Sequence, residues 1–229
     1  MRNAKQIASS IVMICLLAVA CKTSSTPENG SSAPVPRQLP YFGEHMVEFH
    51  KLPSGALEPD TEYYQIPRFN FINENGRVVS HRDAEGKIVV ADFFFSTCKT
   101  ICPVMSSQLL RLQEKIKNEN WYNQVLFLSH TVDPEHDTPN TLKAYALRIG
   151  ADTNSWHFLT GVAEDIYIQA EEGYMLTAFP SDSADGGFFH TDKVTLLDRN
   201  RHIRGYYDGT STKSMDELYE DLKLLVHEK

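Results

Sequence analysis

The most continuous apolar run in the chain, Lys87-Ile-Val-Val-Ala-Asp-Phe-Phe-Phe95, is short, β-branched and aromatic, and predicts a central strand. Beyond it Pro103 suits a first helical turn, and Met105, Leu109, Leu112 and Ile116 recur at steps of three and four, the spacing of one helix face. The same style repeats with Gln124-Val-Leu-Phe-Leu-Ser129 as a second buried strand and a helix from Thr138 to Ile149 opened by Thr-Pro. Phe69–Ile72 and Arg77–Ser80 flank Asn75-Gly76, a hairpin signal that places a β-hairpin extension ahead of the core strand. Near the end Lys193–Leu197 and Ile203–Tyr207 flank another turn, and Ser214–His227 reads as a closing amphipathic helix. Strands alternating with helices predict an α/β three-layer sandwich. No internal repeat is visible.

The ends of the pattern differ from its middle. Residues 1–20 combine a basic start (Arg2, Lys5), an apolar run from Ile11 to Ala20 and small residues before Cys21, as in a secretory signal. The run is too short to span a membrane comfortably. Leu17-Ala-Val-Ala-Cys21 resembles a bacterial lipobox, which makes Cys21 the lipid-carrying first residue of the mature chain; the alternative is an uncleaved helix or an ordinary signal with a free cysteine. Residues 21–60 are assigned to the lipid anchor and a flexible tether, since Lys22 to Pro40 is rich in Ser, Thr, Pro, Asn and Gly and poor in bulky apolar residues. Residues 61–229 are then the folded domain. The expected location is the bacterial cell envelope, with the domain on the extracytoplasmic side.

Composition narrows the function classes. With 229 residues, 41% apolar and 23% charged, the chain can bury one ordinary core plus extensions. Its formal charge of -8 becomes -10 without the first 20 residues, which hold two bases and no acid. That balance argues against nucleic-acid binding, which needs a basic face.

Of four cysteines, Cys15 leaves with the signal and Cys21 is the expected acylation site, so Cys98 and Cys102 carry the domain's sulfur chemistry. A structural disulfide over so short a loop would constrain the unfolded chain little. The pair lies between the end of a buried strand and the start of a helix, where unpaired N–H groups and the helix dipole favour thiolate; Lys99 acts in the same direction. Two such sulfurs can converge on a soft ion, Cu(I) or Zn(II), or cycle as a dithiol and disulfide.

Four segments in order, Phe-Phe-Phe-Ser-Thr-Cys98-Lys-Thr-Ile-Cys102-Pro103, Val132-Asp-Pro-Glu-His-Asp-Thr-Pro139, Trp156-His-Phe-Leu-Thr-Gly161 and His190 before a strand, resemble the Sco/SenC family from Ile66 to the C-terminus. The resemblance implies a thioredoxin-like fold with inserted segments. It implies copper, as Cu(I) or Cu(II), on Cys98, Cys102 and His190. The implied role is delivery of that copper to the binuclear centre of a cytochrome c oxidase subunit, or reduction of that centre's cysteines. Another envelope copper protein is the other candidate partner.

Asp133 and Asp137 match the family's acidic segment near the site and read equally well as capping and turn-forming residues. Gly186-Gly187 gives the loop before His190 freedom to place its side chain, and Phe188 and Phe189 supply apolar cover or simply pack. His130, at a strand end on the same rim, is a candidate neighbour of the ligands or transient ligand, and His136 lies in the acidic loop. His45 and His50 with Met46 read as an auxiliary copper-capturing cluster or as polar linker. Lys99 stands where the family often has Pro, and Phe189 where it often has Asp.

Three function classes follow. The first is a copper metallochaperone, and the second a thiol–disulfide oxidoreductase using Cys98 and Cys102 as a redox pair, for which CxxC rather than CxxxC is the usual spacing. The third, a peroxidase of the same broad fold, lacks its expected Thr-x-x-Cys pocket, because Thr97 adjoins Cys98.

Overall fold

The computed structural model describes residues 37–181 and 183–228. The expected signal, the lipobox cysteine Cys21 and the tether up to residue 36 lie outside the described residues. The described residues from Gln38 onward cluster as one compact unit.

Eleven strands and four α-helices are described: β1 (His45–Lys51), β2 (Leu57–Tyr63), β3 (Asn70–Asn73), β4 (Val78–Ser80), β5 (Ile88–Phe94), α1 (Cys102–Ile116), β6 (Val125–Thr131), α2 (Pro139–Ile149), β7 (Trp156–Thr160), α3 (Ala163–Ile168), β8 (Ala178–Pro180), β9 (Phe188–His190), β10 (Lys193–Leu197), β11 (Ile203–Asp208) and α4 (Thr212–His227). Seven strands form the central sheet in the order β11-β10-β5-β6-β7-β3-β4. β5, β6 and β7 run parallel, and the flanking pairs are antiparallel. All seven residues of β5 and of β6 are buried, as continuous apolar parallel strands covered on both faces must be.

Successive side chains on a strand point to opposite faces. Phe94 meets Tyr145 of α2 and Phe158 of β7 on one face, where α1 also packs through the Ser106–Tyr145 hydrogen bond. Phe93 points the other way, toward His130 and Tyr174. The predicted helices form with their expected boundaries to within two residues: Pro103 follows the first residue of α1, the Thr138 side chain accepts from Thr141 N–H at the start of α2, and Gly150, at φ +82, ends it.

The Asn75-Gly76 hairpin forms where expected, as β3–β4, and pairing of β3 with β7 joins it to the edge of the central sheet. Residues 45–60, assigned to the tether, form most of the β1–β2 ribbon instead. Its turn relies on Gly55 at φ +84, whose N–H bonds to Leu52 O. Tyr41 stacks on Tyr63 at 3.7 Å between ring centroids, which fixes the base of the ribbon to the domain's first residues. No described helix is long and apolar enough to cross a membrane.

Candidate metal centre

β5 delivers the chain to the sheet's rim, and the next eight residues carry both sulfurs. The loop is held from below. Asp137, fully buried, accepts from Ser96 N–H at 3.0 Å, from the Ser96 hydroxyl and from the Thr131 hydroxyl at 2.5 Å. Three donors converge on one carboxylate, so the position of Ser96, two residues before Cys98, is set by charge-assisted hydrogen bonds. Cys98 N–H then bonds to Phe95 O at 3.2 Å, and Cys102 opens α1.

The third donor arrives from 88 residues away. His190 ends β9, paired to β8 with Ala178 opposite it. Phe95 is the common anchor, its ring 5.4 Å from both Phe188 and His190. Gly186 sits at φ +82, and a Cβ there would come within 2.7 Å of the Phe95 ring. Both the left-handed backbone and the close approach demand glycine.

The ligand atoms of Cys98, Cys102 and His190 lie within 4.8 Å of one another, the one such group of three among the described residues. Cys102 Sγ is 3.5 Å from His190 Nε2. His190 Nδ1 lies 3.2 Å from Thr191 O. A carbonyl can only accept, so Nδ1 carries the hydrogen and Nε2 turns its lone pair to the sulfurs, the tautomer a metal requires. Burial pushes the His190 imidazole below its ordinary pKa, the Thr191 and Phe93 carbonyls only partly opposing, so it is neutral at neutral pH.

The two thiols are unlike. Burial raises Cys98, but hydrogen bonds from Thr100 and Cys102 outweigh it and hold this half-exposed thiol below the usual value; its sulfur lies 3.5 Å from Thr100 Oγ1. Cys102 is buried, and desolvation raises its pKa strongly, with a backbone hydrogen bond from Phe95 opposing and neighbouring Cys98 adding to the rise. A cavity of about 300 Å³ opens beside Cys98, walled by Pro103, Leu110, Tyr145 and Ile149 with Arg148. Both cysteines are free. The arrangement offers one accessible, easily ionised sulfur, one sheltered sulfur and one neutral imidazole, a soft donor set.

Other candidates fall elsewhere. Asp133 accepts from His136 N–H at 3.3 Å and shapes the loop; His136 is exposed, Asp133 is half-buried, and neither joins the sulfurs. His130 is fully buried among Phe69, Phe71, Phe93 and Tyr174, on the face opposite α2, with Nδ1 unpartnered among the described residues and Nε2 3.4 Å from the Tyr174 hydroxyl. It is a core histidine. His45, Met46 and His50 stand on the exposed ribbon; Met46 and His50 share one face and His45 takes the other, with His50 3.5 Å from Asp60. Sequence reasoning passed over Asp92, a fully buried acid that accepts from the Ser129 hydroxyl at 2.5 Å, while Trp156 Nε1–H donates to the same oxygen of Ser129 at 2.8 Å. The signal was an acid inside an otherwise apolar strand.

A family model described as SCO1/SenC matches residues 58–227. The SCO1 protein homolog of Bacillus subtilis is 32% identical over 174 residues, which cover 74% of this chain and 86% of that one. BsSco, whose structural study identified a disulfide switch and describes it as a member of the Sco family of cytochrome c oxidase assembly proteins, is 30% identical with a TM-score of 0.65, over 72% of this chain and 95% of that one. Bradyrhizobium japonicum ScoI, solved with copper bound, has the same fold at 24% identity and a TM-score of 0.56, over 71% of this chain and 99% of that one. The fold is therefore the thioredoxin-like α/β fold of Sco structures. With a family model spanning most of the domain and a relative alike over nearly all of its own length, this chain belongs to the Sco/SenC family.

Proposed function

We propose that this chain binds one copper ion through Cys98 Sγ, Cys102 Sγ and His190 Nε2. It carries the ion as cargo for the binuclear copper centre of a cytochrome c oxidase. The observation that carries this reading is the convergence of two thiols from one loop and a tautomer-fixed imidazole from a distant strand within 4.8 Å. Two sulfurs and one nitrogen select a soft ion over the hard cations of oxygen sites. Family membership, an oxidase-assembly relative and a copper-bound neighbour support copper as the metal and an oxidase as the recipient. The lipobox-like segment ending in Cys21 extends the proposal to a lipid-anchored protein of the bacterial envelope, which labelling with radioactive palmitate tests.

The deciding experiment is copper stoichiometry and the Cu(II) absorption spectrum of the reduced protein, compared with Cys98→Ala and His190→Ala. One copper per chain with a sulfur-to-copper charge-transfer band, lost in both variants, supports the assignment. Absence of specific copper in the parent chain rejects it.

The unlike thiols favour a second reading, a reductase of partner disulfides. Cys98 thiolate attacks one sulfur of a partner disulfide and expels the other as thiolate; Cys102, giving up its proton to that thiolate, then attacks Cys98 and releases the second partner sulfur. The pair loses two electrons and the partner gains two. His190→Ala separates the readings, since reductase activity survives it and stable Cu(II) binding does not.

A further inference from the structure

The cavity farthest in kind from the metal site lies at the other end of β5. Gly86 N–H, just before β5, bonds to Arg199 O there, whereas the sulfurs follow the strand's far end. Four arginines, Arg68, Arg82, Arg199 and Arg201, line a cavity of about 380 Å³ together with His81 and a single acidic residue, Glu85. This is a basic pocket in a chain of net charge -8.

The pocket sets one acidic residue against four arginines. Among the described residues none of the four arginines is in an ion pair. Arg199 is held by neutral acceptors only, Leu225 O at 2.6 Å, Val226 O at 3.1 Å and Gln124 Oε1 at 2.7 Å, which position its charge without cancelling it. Arg201 Nη1 is buried and has no hydrogen-bond partner among the described residues. An unpaired buried N–H of a charged group is costly. Its backbone stands at φ +66, a conformation a non-glycine residue adopts at some cost, and is fixed by Arg201 N–H to Asp198 O and by Ile66 N–H to Arg201 O. The nearby acids do not serve the pocket, because Asp198 and Glu228 both bind Arg204.

We propose that this pocket binds a phosphate-class oxyanion, its oxygens taking the forks of Arg68 and Arg82 beside the charge of Arg201. Planar guanidinium donors match such oxygens in pairs. The anion is inorganic phosphate or the headgroup of an anionic phospholipid. The second source is within reach because Arg204 holds Leu39 O and Pro40 O at this end, where the chain enters the domain.

The test uses the full chain with Cys21→Ser, so that no lipid confuses the vesicle arm. Calorimetric titration with inorganic phosphate, at ionic strength held constant with sodium chloride, should show one saturable site. The exposed pair Arg68→Gln/Arg82→Gln should weaken it about a hundredfold, roughly tenfold for each guanidinium removed. Arg201→Gln should weaken it about tenfold. Unchanged circular dichroism shows that the fold is kept. No saturable uptake beyond the chloride control, or equal affinity in the double variant, overturns the proposal. Flotation with phosphatidylglycerol and phosphatidylcholine vesicles assigns the source: anionic-vesicle binding lost in the double variant identifies a headgroup, and equal behaviour on both vesicles, with phosphate bound, identifies the soluble ion.

Discussion

The two faces of the central sheet each bury a titratable group, one residue apart in strand register, and treat it differently. On the α2 face, Asp92 belongs to a hydrogen-bonded chain with Ser129 and Trp156, and two residues along β6 Thr131 reaches Asp137, which fixes the cysteine loop. On the opposite face, His130 sits in an aromatic box with one nitrogen unpartnered among the described residues. Burial alone therefore marks no site. The supporting face is the one whose polar groups are linked to the loop above them.

The largest expected effect falls on the sulfurs. Cys98→Ser or Cys102→Ser replaces a soft donor with a hard one and should lower copper affinity by about a thousandfold or more, measured by competition with a chelator. Retention within about tenfold would remove that cysteine from the ligand set.

The two buried groups should also pull stability in opposite directions with pH. Burial pushes the Asp92 carboxyl up to about 7 from 3.8, the Ser129 hydrogen bond partly opposing. A raised acid binds its proton better in the folded state, so its contribution is complete below pH 3.8 and is lost as pH rises through about 7. Burial pushes His130 down to about 3 from 6.5, so its contribution is present above 6.5 and lost as pH falls through about 3. Between 3.8 and 6.5 the slopes oppose, each up to about 1.4 kcal/mol per pH unit. Relative to the parent chain, Asp92→Asn should gain stability as pH rises and His130→Phe as pH falls, read from urea midpoints across that window. Parallel curves for parent and variants would show that these groups do not titrate as placed.

His190 and His130 should also differ toward metal. His190→Ala should lose stable Cu(II) binding, and His130→Phe should leave affinity unchanged. A loss in the second variant equal to that in the first would break the distinction between a rim ligand and a core histidine.

How much of this was legible beforehand follows from physical range. β5, β6, β10 and β11 with α1, α2 and α4 declare themselves by local hydrophobic period, and Cys98 and Cys102 by spacing. The β1–β2 ribbon is exposed along nearly all its length, so it leaves no burial pattern. β8 and β9 have three residues each, and α3 runs into a π-helical turn over Gln169–Gly173, too short or irregular for a period to show. His190 stood out chiefly through family resemblance, because Gly186-Gly187 and the two phenylalanines before it permit a ligand role without requiring one. The Ser96–Asp137 contact joins residues 41 positions apart and exists only once β5 and β6 are paired.

That contact gives the smallest of these effects and the finest test. Asp137 offers two oxygens to three donors, and in Asp137→Asn one oxygen becomes an NH₂ group facing donors. The loop should loosen around Ser96 while the sulfurs and His190 remain, lowering copper affinity about ten- to a hundredfold, the usual range for residues that orient ligands without touching the metal. Asp133→Asn is the matched control: its carboxylate accepts only a single described loop bond, from His136 N–H, so copper affinity should hold. Equal losses in both would mean that the acidic segment acts through its charge. A loss confined to Asp137 would mean that it acts by fixing the loop that presents Cys98.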